Sequence, residues 1–369
     1  MKSKLNDFGL SSLLFGILVC LWACGGTGGE MPDAGGSVDA SDDPDGMVPD
    51  GGMVPDGGMM PDGGALSCAP SVTSFTNVTV LPLVDAGVNS SSLMVSGVSG
   101  YFAELELSTS ITHTYSADLD IYLISPSGTR VAISTDNGGS NSDVFNGTQW
   151  SDRAGNPVTD YSFTDLTVAP FLTPESAMAA FVGEDPNGVW TLEITDDFGG
   201  DVGALNSWTL HVGTLPSAPI TSVDTVTSSV QVNIVSQATI TDELAITVPG
   251  TEICDVDVTT MIAHTYASDL DITLRAPSGT RVVLTTDNGD SNDDVFDGTH
   301  WDDDANAPAT EHLYVNQVTA TPLTPEGALG QLAGEDPNGD WTLEITDDSA
   351  NNEGQLAGWS LTITTCSCL

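Results

Sequence analysis

Basic side chains are almost missing from this chain of 369 residues. Six lysines and arginines stand against 52 aspartates and glutamates, a formal net charge of −46. The lysines are Lys2 and Lys4, at the extreme N-terminus, and the arginines are Arg130, Arg153, Arg275 and Arg281. A net field of this sign repels nucleic acid and anionic headgroups, so no nucleic-acid partner is expected. It favours cations or basic surfaces, and it equally suits plain solubility in a salty or extracellular medium. Helical periodicity is almost missing too, which excludes a helical bundle. No Cys/His spacing fits zinc, so a soft-metal site is not expected. Histidine is confined to His113, His211, His264, His300 and His312.

Long apolar runs are also lacking. The longest, Leu10 to Leu21, follows the two lysines and is too short to span a bilayer as a mature helix. Leu21-Trp22-Ala23-Cys24 resembles the lipobox of bacterial lipoproteins, which implies a signal peptide over 1–23 and lipidation of Cys24. The other reading is an ordinary secretory signal cleaved near Ala23; both export the protein. Gly25 and Gly26 follow, with no adjacent aspartate of the kind that retains lipoproteins at the inner membrane. An outer-membrane or cell-surface location is expected, with the membrane met through the lipid anchor alone. Residues 24–67 are mostly Gly, Pro, Asp and Met, including three hexads from Met47 to Gly64. Such a segment has too few apolar groups to offset its ordering entropy and is expected to be a disordered tether. As a flexible coil it would average roughly 35–40 Å end to end.

What is abundant is repetition. His113-Thr114-Tyr115 returns as His264-Thr265-Tyr266, and Asp118-Leu119-Asp120-Ile121 as Asp269-Leu270-Asp271-Ile272. PSGTRV begins at Pro126 and Pro277, GEDPNG at Gly183 and Gly334, WTLEITDD at Trp190 and Trp341. Every pair is offset by the same 151 positions, as in Trp208 and Trp359. A constant offset means a duplicated folding unit with unchanged loops, not a solenoid of short repeats. The expected domains are 68–214 and 215–369. Within each, Leu105, Leu107 and Thr109 alternate with polar residues, as do Leu119, Ile121 and Leu123, the pattern of half-buried strands. Ser125-Pro126-Ser127-Gly128 is a turn, and Val131 and Ile133 lie on the returning strand of a hairpin. Trp190–Thr195 and Ser207–Val212 are further strands, and the one helical candidate is short, near Pro174 to Phe181. The expected fold is all-β, a β-sandwich or jelly roll in tandem. Four cysteines outside the signal, Cys68, Cys254, Cys366 and Cys368, allow three pairings in an oxidising compartment. A staple across the second repeat is expected, and the first repeat has Ala103 where the second has Cys254.

The order His-Thr-Tyr, Asp-Leu-Asp-Ile, Ser-Pro-Ser-Gly-Thr, Gly-Glu-Asp-Pro-Asn-Gly-x-Trp-Thr-Leu, Asp-x-Gly-x-Leu-x-x-Trp resembles the P domain (P/Homo B) that follows the catalytic domain in kexin- and furin-like subtilases. The last motif is Asp201 to Trp208 in the first copy; in the second, Asn352 and Glu353 depart from it. The resemblance implies a β-jelly roll that stabilises a neighbouring protease, tunes calcium dependence or binds substrate. The catalytic domain itself is not recognised: no histidine stands in a His-Gly setting and no Gly-Thr-Ser segment occurs.

Aspartates on loops can hold a hard cation, and the resemblance agrees with calcium as the cofactor. One cluster combines Asp118, Asp120, Asp136, Asp143 and Asp152, matched by Asp269, Asp271, Asp287, Asp294 and Asp303. The other combines Asp196, Asp197 and Asp201, matched by Asp347 and Asp348 and loosely by Glu353. Asp118 and Asp120 are expected on one face of a strand. The bland alternative is that these are solvated turn residues. Trp190 and Trp208 are expected in the core, while Trp150, beside the acidic loop, is the tryptophan to test for carbohydrate binding. The expected function is a surface-tethered, non-catalytic module that binds an extracellular protein or glycan or assists a protease. The alternatives are a serine endopeptidase by family association and a passive, calcium-rigidified adhesive element.

Overall fold

Strict alternation of buried and exposed side chains dictates the architecture. In Gly87–Val95 and in Gly188–Asp196 every second residue is buried, so each strand offers one face to a core. The computed structural model describes residues 68–368 except Asn306, and the leader and tether expected over 1–67 lie outside them.

The first repeat contains β1 (Ser71–Asn77), β2 (Leu81–Pro82), β3 (Gly87–Val95), β4 (Tyr101–His113), β5 (Leu119–Ile124), β6 (Arg130–Ser134), β7 (Asn146–Trp150), β8 (Phe171–Leu172), β9 (Gly188–Asp196) and β10 (Gly203–Leu215). One sheet runs β1-β10-β4-β7-β8 with β2 beside β10, and the other runs β3-β9-β5-β6. The second repeat contains β11 (Ile220–Ser228), β12 (Val232–Ile234), β13 (Ala238–Ile246), β14 (Ile253–His264), β15 (Leu270–Arg275), β16 (Arg281–Thr286), β17 (Asp297–Trp301), β18 (Gly339–Asp347) and β19 (Gly354–Ser367). Its sheets run β11-β19-β14-β17, with β12 beside β19, and β13-β18-β15-β16. Each repeat is thus an all-β sandwich around its own core. The short helical candidate is a 3-10 turn at Met178–Phe181.

Three buried tryptophans anchor each core. In the first repeat Trp190 Nε1 donates to the Pro186 carbonyl and Trp208 Nε1 to Ser91 Oγ. Trp150 is also fully buried, its Nε1 donating to Thr109 Oγ1. This corrects the sequence expectation of a binding platform at Trp150: its ring faces inward from β7 and offers no surface to a glycan. The final glycine of the Asp-Pro-Asn-Gly turn also has a structural cause. Gly188 has φ +139°, and a Cβ there would stand 2.7 Å from Pro126 Cβ; Gly339 meets Pro277 in the same way.

The cysteines pair Cys254–Cys366 and Cys68–Cys368. The first is the expected staple across the second repeat. The second ties the start of the first repeat to the end of the second, where Cys68 N also donates to Glu252 Oε1 at 3.0 Å.

Candidate functional site

The aspartates expected as one large cluster have different tasks. Asp143 and Asp294 have positive φ and stand at turns. Asp143 Oδ1 accepts the His113 amide at 2.9 Å, which holds its loop to the end of β4. Asp152 accepts the Met178 and Ala179 amides, and Asp303 accepts those of Leu329 and Gly330. Both carboxylates therefore cap a 3-10 turn, and this replaces the ligand role expected for them. Burial pushes Asp152 up to about 7 and Asp303 well above the usual carboxylate range.

Asp120 and Asp136 do come together, with Asp197 beside them. Burial raises Asp120 to about 6, aided by the charges of Asp136 and Asp197 and of Glu311 from the other repeat. Asp271 is raised to about 6 by burial, Asp287, Asp348 and then Asp160 of the first repeat. Asp160 and Glu311 are themselves a repeat pair, so the two copies place acid on each other reciprocally. Sequence reading missed Glu175 and Glu326. Glu175 accepts the Thr135 amide at 2.6 Å and the Thr135 hydroxyl at 2.7 Å, and Glu326 does the same for Thr286. The only available signal was the exact recurrence of these residues at the repeat offset.

The second group is the more telling. Asp118 is not on a strand face but closes the 3-10 turn Ser116–Asp118, and it is buried. Asp196, at the end of β9, is 1% exposed. Its Oδ2 faces His113 Nε2 at 3.2 Å, while His113 Nδ1 lies 2.7 Å from the Tyr115 carbonyl. The remaining oxygens, Asp118 Oδ2 and Asp196 Oδ1, have no hydrogen-bond partner among the described residues. Burial, then the charges of Asp201 and Asp196, raises the Asp118 carboxyl. Asp201 is fixed nearby by the Thr114 hydroxyl at 2.8 Å, and the Asp197 amide donates to the Asp118 carbonyl at 2.9 Å.

The second repeat keeps the frame and changes the filling. His264 Nε2 faces Asp347 Oδ2 at 3.2 Å, as His113 faces Asp196. Asn352 stands where the first repeat has Asp201, and its Nδ2 donates to Asp269 Oδ2 at 2.8 Å. The Ser349 amide donates to Asp347 Oδ1 at 3.1 Å. Both oxygens orphaned in the first copy thus have protein donors in the second. Leaving a buried acceptor unpaired costs about 1–3 kcal/mol, more when it is charged. Two such atoms lie in the field of Asp197 and Asp201, at the place where the second copy supplies protein donors.

A model of the proprotein convertase P-domain matches residues 102–212 and again 253–363, more than half of the chain. A curated relative, leupeptin-inactivating enzyme 1 of Streptomyces exfoliatus, is 31% identical over 142 residues, covering 38% of this chain and 26% of the relative. The chain therefore spans about a quarter of that relative's length. Among solved structures, the Aeromonas sobria serine protease in its chaperone complex is 18% identical, covering 41% of this chain and 28% of that one, with a TM-score of 0.29. The major capsid protein P2 of bacteriophage PM2 is 12% identical, covering 81% and 98%, with a TM-score of 0.22.

Proposed function

Since the chain belongs to the proprotein convertase P-domain family, we propose that it is an exported, non-catalytic binding or protease-accessory module whose first repeat is rigidified by calcium. The observation that carries the cation reading is the pair of buried, unpartnered oxygens Asp118 Oδ2 and Asp196 Oδ1. Asp118, Asp196, Asp197 and Asp201 would hold the ion, an all-oxygen set that suits calcium over softer metals. The bound ion would supply positive charge to four carboxylates whose basic neighbour among the described residues is the His113 imidazole, which faces Asp196. In the second repeat Asn352 and Ser349 already supply the donors, and no ion is needed there.

The accessory role is supported by two complete family units placed in tandem along the described chain. Export follows from the lysines and apolar run before Cys24, and a lipidated Cys24 would leave residues 24–67 as the spacer from the membrane to the folded repeats. The partner is an extracellular protein, a protease among them, or a glycan.

The test uses the mature protein in calcium. Saturable capture of a reproducible extracellular ligand, with no cleavage of casein and no labelling by a fluorophosphonate, is the expected result. Fluorophosphonate labelling with cleavage would replace this reading by a serine endopeptidase. Absence of any reproducible ligand would replace it by a passive adhesive element.

A further inference from the structure

The two repeats differ most in charge on the outer face of the sheet that pairs β14 with β17. In the first repeat this place is closed by its own bonds. Gln149 Nε2 donates to Glu106 Oε2 at 2.8 Å, Ser151 Oγ donates to Glu106 Oε1 at 3.1 Å, and Arg153 pairs with Glu104 at 3.3 Å. At the same offsets the second repeat has Asp257 for Glu106, His300 for Gln149, Asp302 for Ser151, Asp255 for Glu104 and Asp304 for Arg153. The donors of Gln149, Ser151 and Arg153 are replaced, and Asp255, Asp302 and Asp304 gather around Asp257 beside the His300 imidazole.

Strand register explains why these residues meet. Thr259 pairs with His300 and Val258 with Trp301 across β14 and β17. Alternation therefore puts Asp257 and Thr259 on the same face as His300 and Asp302, while Val258 and Trp301 enter the core. One ligand atom from each of Asp257, His300 and Asp302 lies within 4.8 Å of the other two. His300 Nε2 and Asp302 Oδ2 are 3.8 Å apart, too far for a hydrogen bond. Ligand atoms at about 2.0–2.2 Å from a tetrahedral ion stand roughly 3.4 Å apart, so a small side-chain rotation closes the set.

The imidazole is also oriented. Thr259 Oγ1 is 3.2 Å from His300 Nδ1. With Nδ1–H donating to that hydroxyl, Nε2 turns its lone pair toward the carboxylates, the usual way a ligating histidine is fixed by its second nitrogen. The His300 side chain is 39% exposed, so an ion reaches it from solvent. Asp257 accepts no hydrogen bond among the described residues. Burial, with the charges of Asp255, Asp302 and Asp304, pushes it up to about 7.

We propose that the outer face of the second repeat binds one divalent first-row transition ion of the zinc class through Asp257, His300 and Asp302. One nitrogen and two carboxylates suit zinc or cobalt better than calcium, which prefers more oxygens. Three protein ligands leave a position open to water or to a partner's side chain. The site does not depend on the calcium reading of the first repeat.

The test is a Co2+ titration of the mature protein in excess calcium, followed by visible absorption and by metal analysis after dialysis. The expected result is one retained equivalent, displaced by Zn2+. The triple variant D257E/H300Q/D302S installs the first repeat's own residues and is expected to weaken binding by at least roughly a hundredfold, since even an outer partner of a metal site is worth 10–100-fold. Its melting temperature and calcium response serve as folding controls, and His300→Gln alone is the milder second variant. No retained ion in the parent protein, or equal retention by both variants, overturns the proposal.

Discussion

The first and second repeats share a frame and divide its polar filling in opposite ways. Beside the histidine at the end of the long strand, the first copy leaves two buried carboxylate oxygens without donors, and the second copy satisfies both with Asn352 and Ser349. On the outer face the roles reverse. The first copy closes Glu106 with Gln149 and Ser151, and the second leaves Asp257, His300 and Asp302 facing one another. A duplicated core tolerates this because the substitutions are confined to turns and outward strand positions. The buried tryptophans and the strand register stay the same. Divergence of copies is then a change of which charges the protein balances itself and which it leaves for a cation.

The largest effects should come from the shared core. Trp208→Ala and Trp359→Ala are each expected to cost about 3–5 kcal/mol in denaturant melts. The second should cost more, because Trp359 Nε1 donates to the buried Asp242 carboxylate while Trp208 Nε1 donates only to the Ser91 hydroxyl. Equal losses would break the comparison at its simplest point. Removing Cys254–Cys366 by double alanine substitution should cost about 2–5 kcal/mol and fall on the second repeat alone, since the closed loop of 112 residues lies within it. A melt in which both repeats lose stability equally would contradict that.

A smaller effect is expected from pH. Burial is the first cause in lifting Asp152 and Glu175 to about 7 in the first repeat, and Asp257 to about 7 and Glu326 to about 8 in the second. Folding favours the protonated form of each. Their stabilising contribution is complete below the ordinary carboxylate range and is lost as pH rises through about 7 to 8. The chelated protein should therefore melt lower at about pH 8.5 than at about pH 5, the second repeat more steeply, with Asp303 adding to its loss. A melting temperature that rises over this interval would count against the assignment.

Much of the fold was legible because its signals are local. Alternation at Leu119, Ile121 and Leu123 and the Ser125–Gly128 turn predict the β5–β6 hairpin, which forms with Leu123 opposite Val131. The fixed offset predicts two equal units. Trp150 was misread because its loop is acidic, whereas its burial is decided by its register against Leu107 on β4, a pairing that no short window contains. Asp152 was misread for a similar reason: its partners, the Met178 and Ala179 amides, are distant in the chain. The triad Asp257, His300 and Asp302 escaped because spacing rules look for ligands close in sequence, while here they are gathered across two strands. The departure of Asn352 from the aspartate pattern was visible, but its meaning required seeing the oxygen that its amide meets.

The most direct measurement of the account is the calcium stoichiometry of the mature protein by isothermal titration, beside the variants Asp201→Asn and Asn352→Asp. One calcium per chain is predicted for the parent, with affinity sharply reduced in Asp201→Asn and a second ion taken up by Asn352→Asp. Two calcium ions in the parent, none, or a single ion that survives Asp201→Asn unweakened would contradict the claim that the first repeat alone is built around calcium.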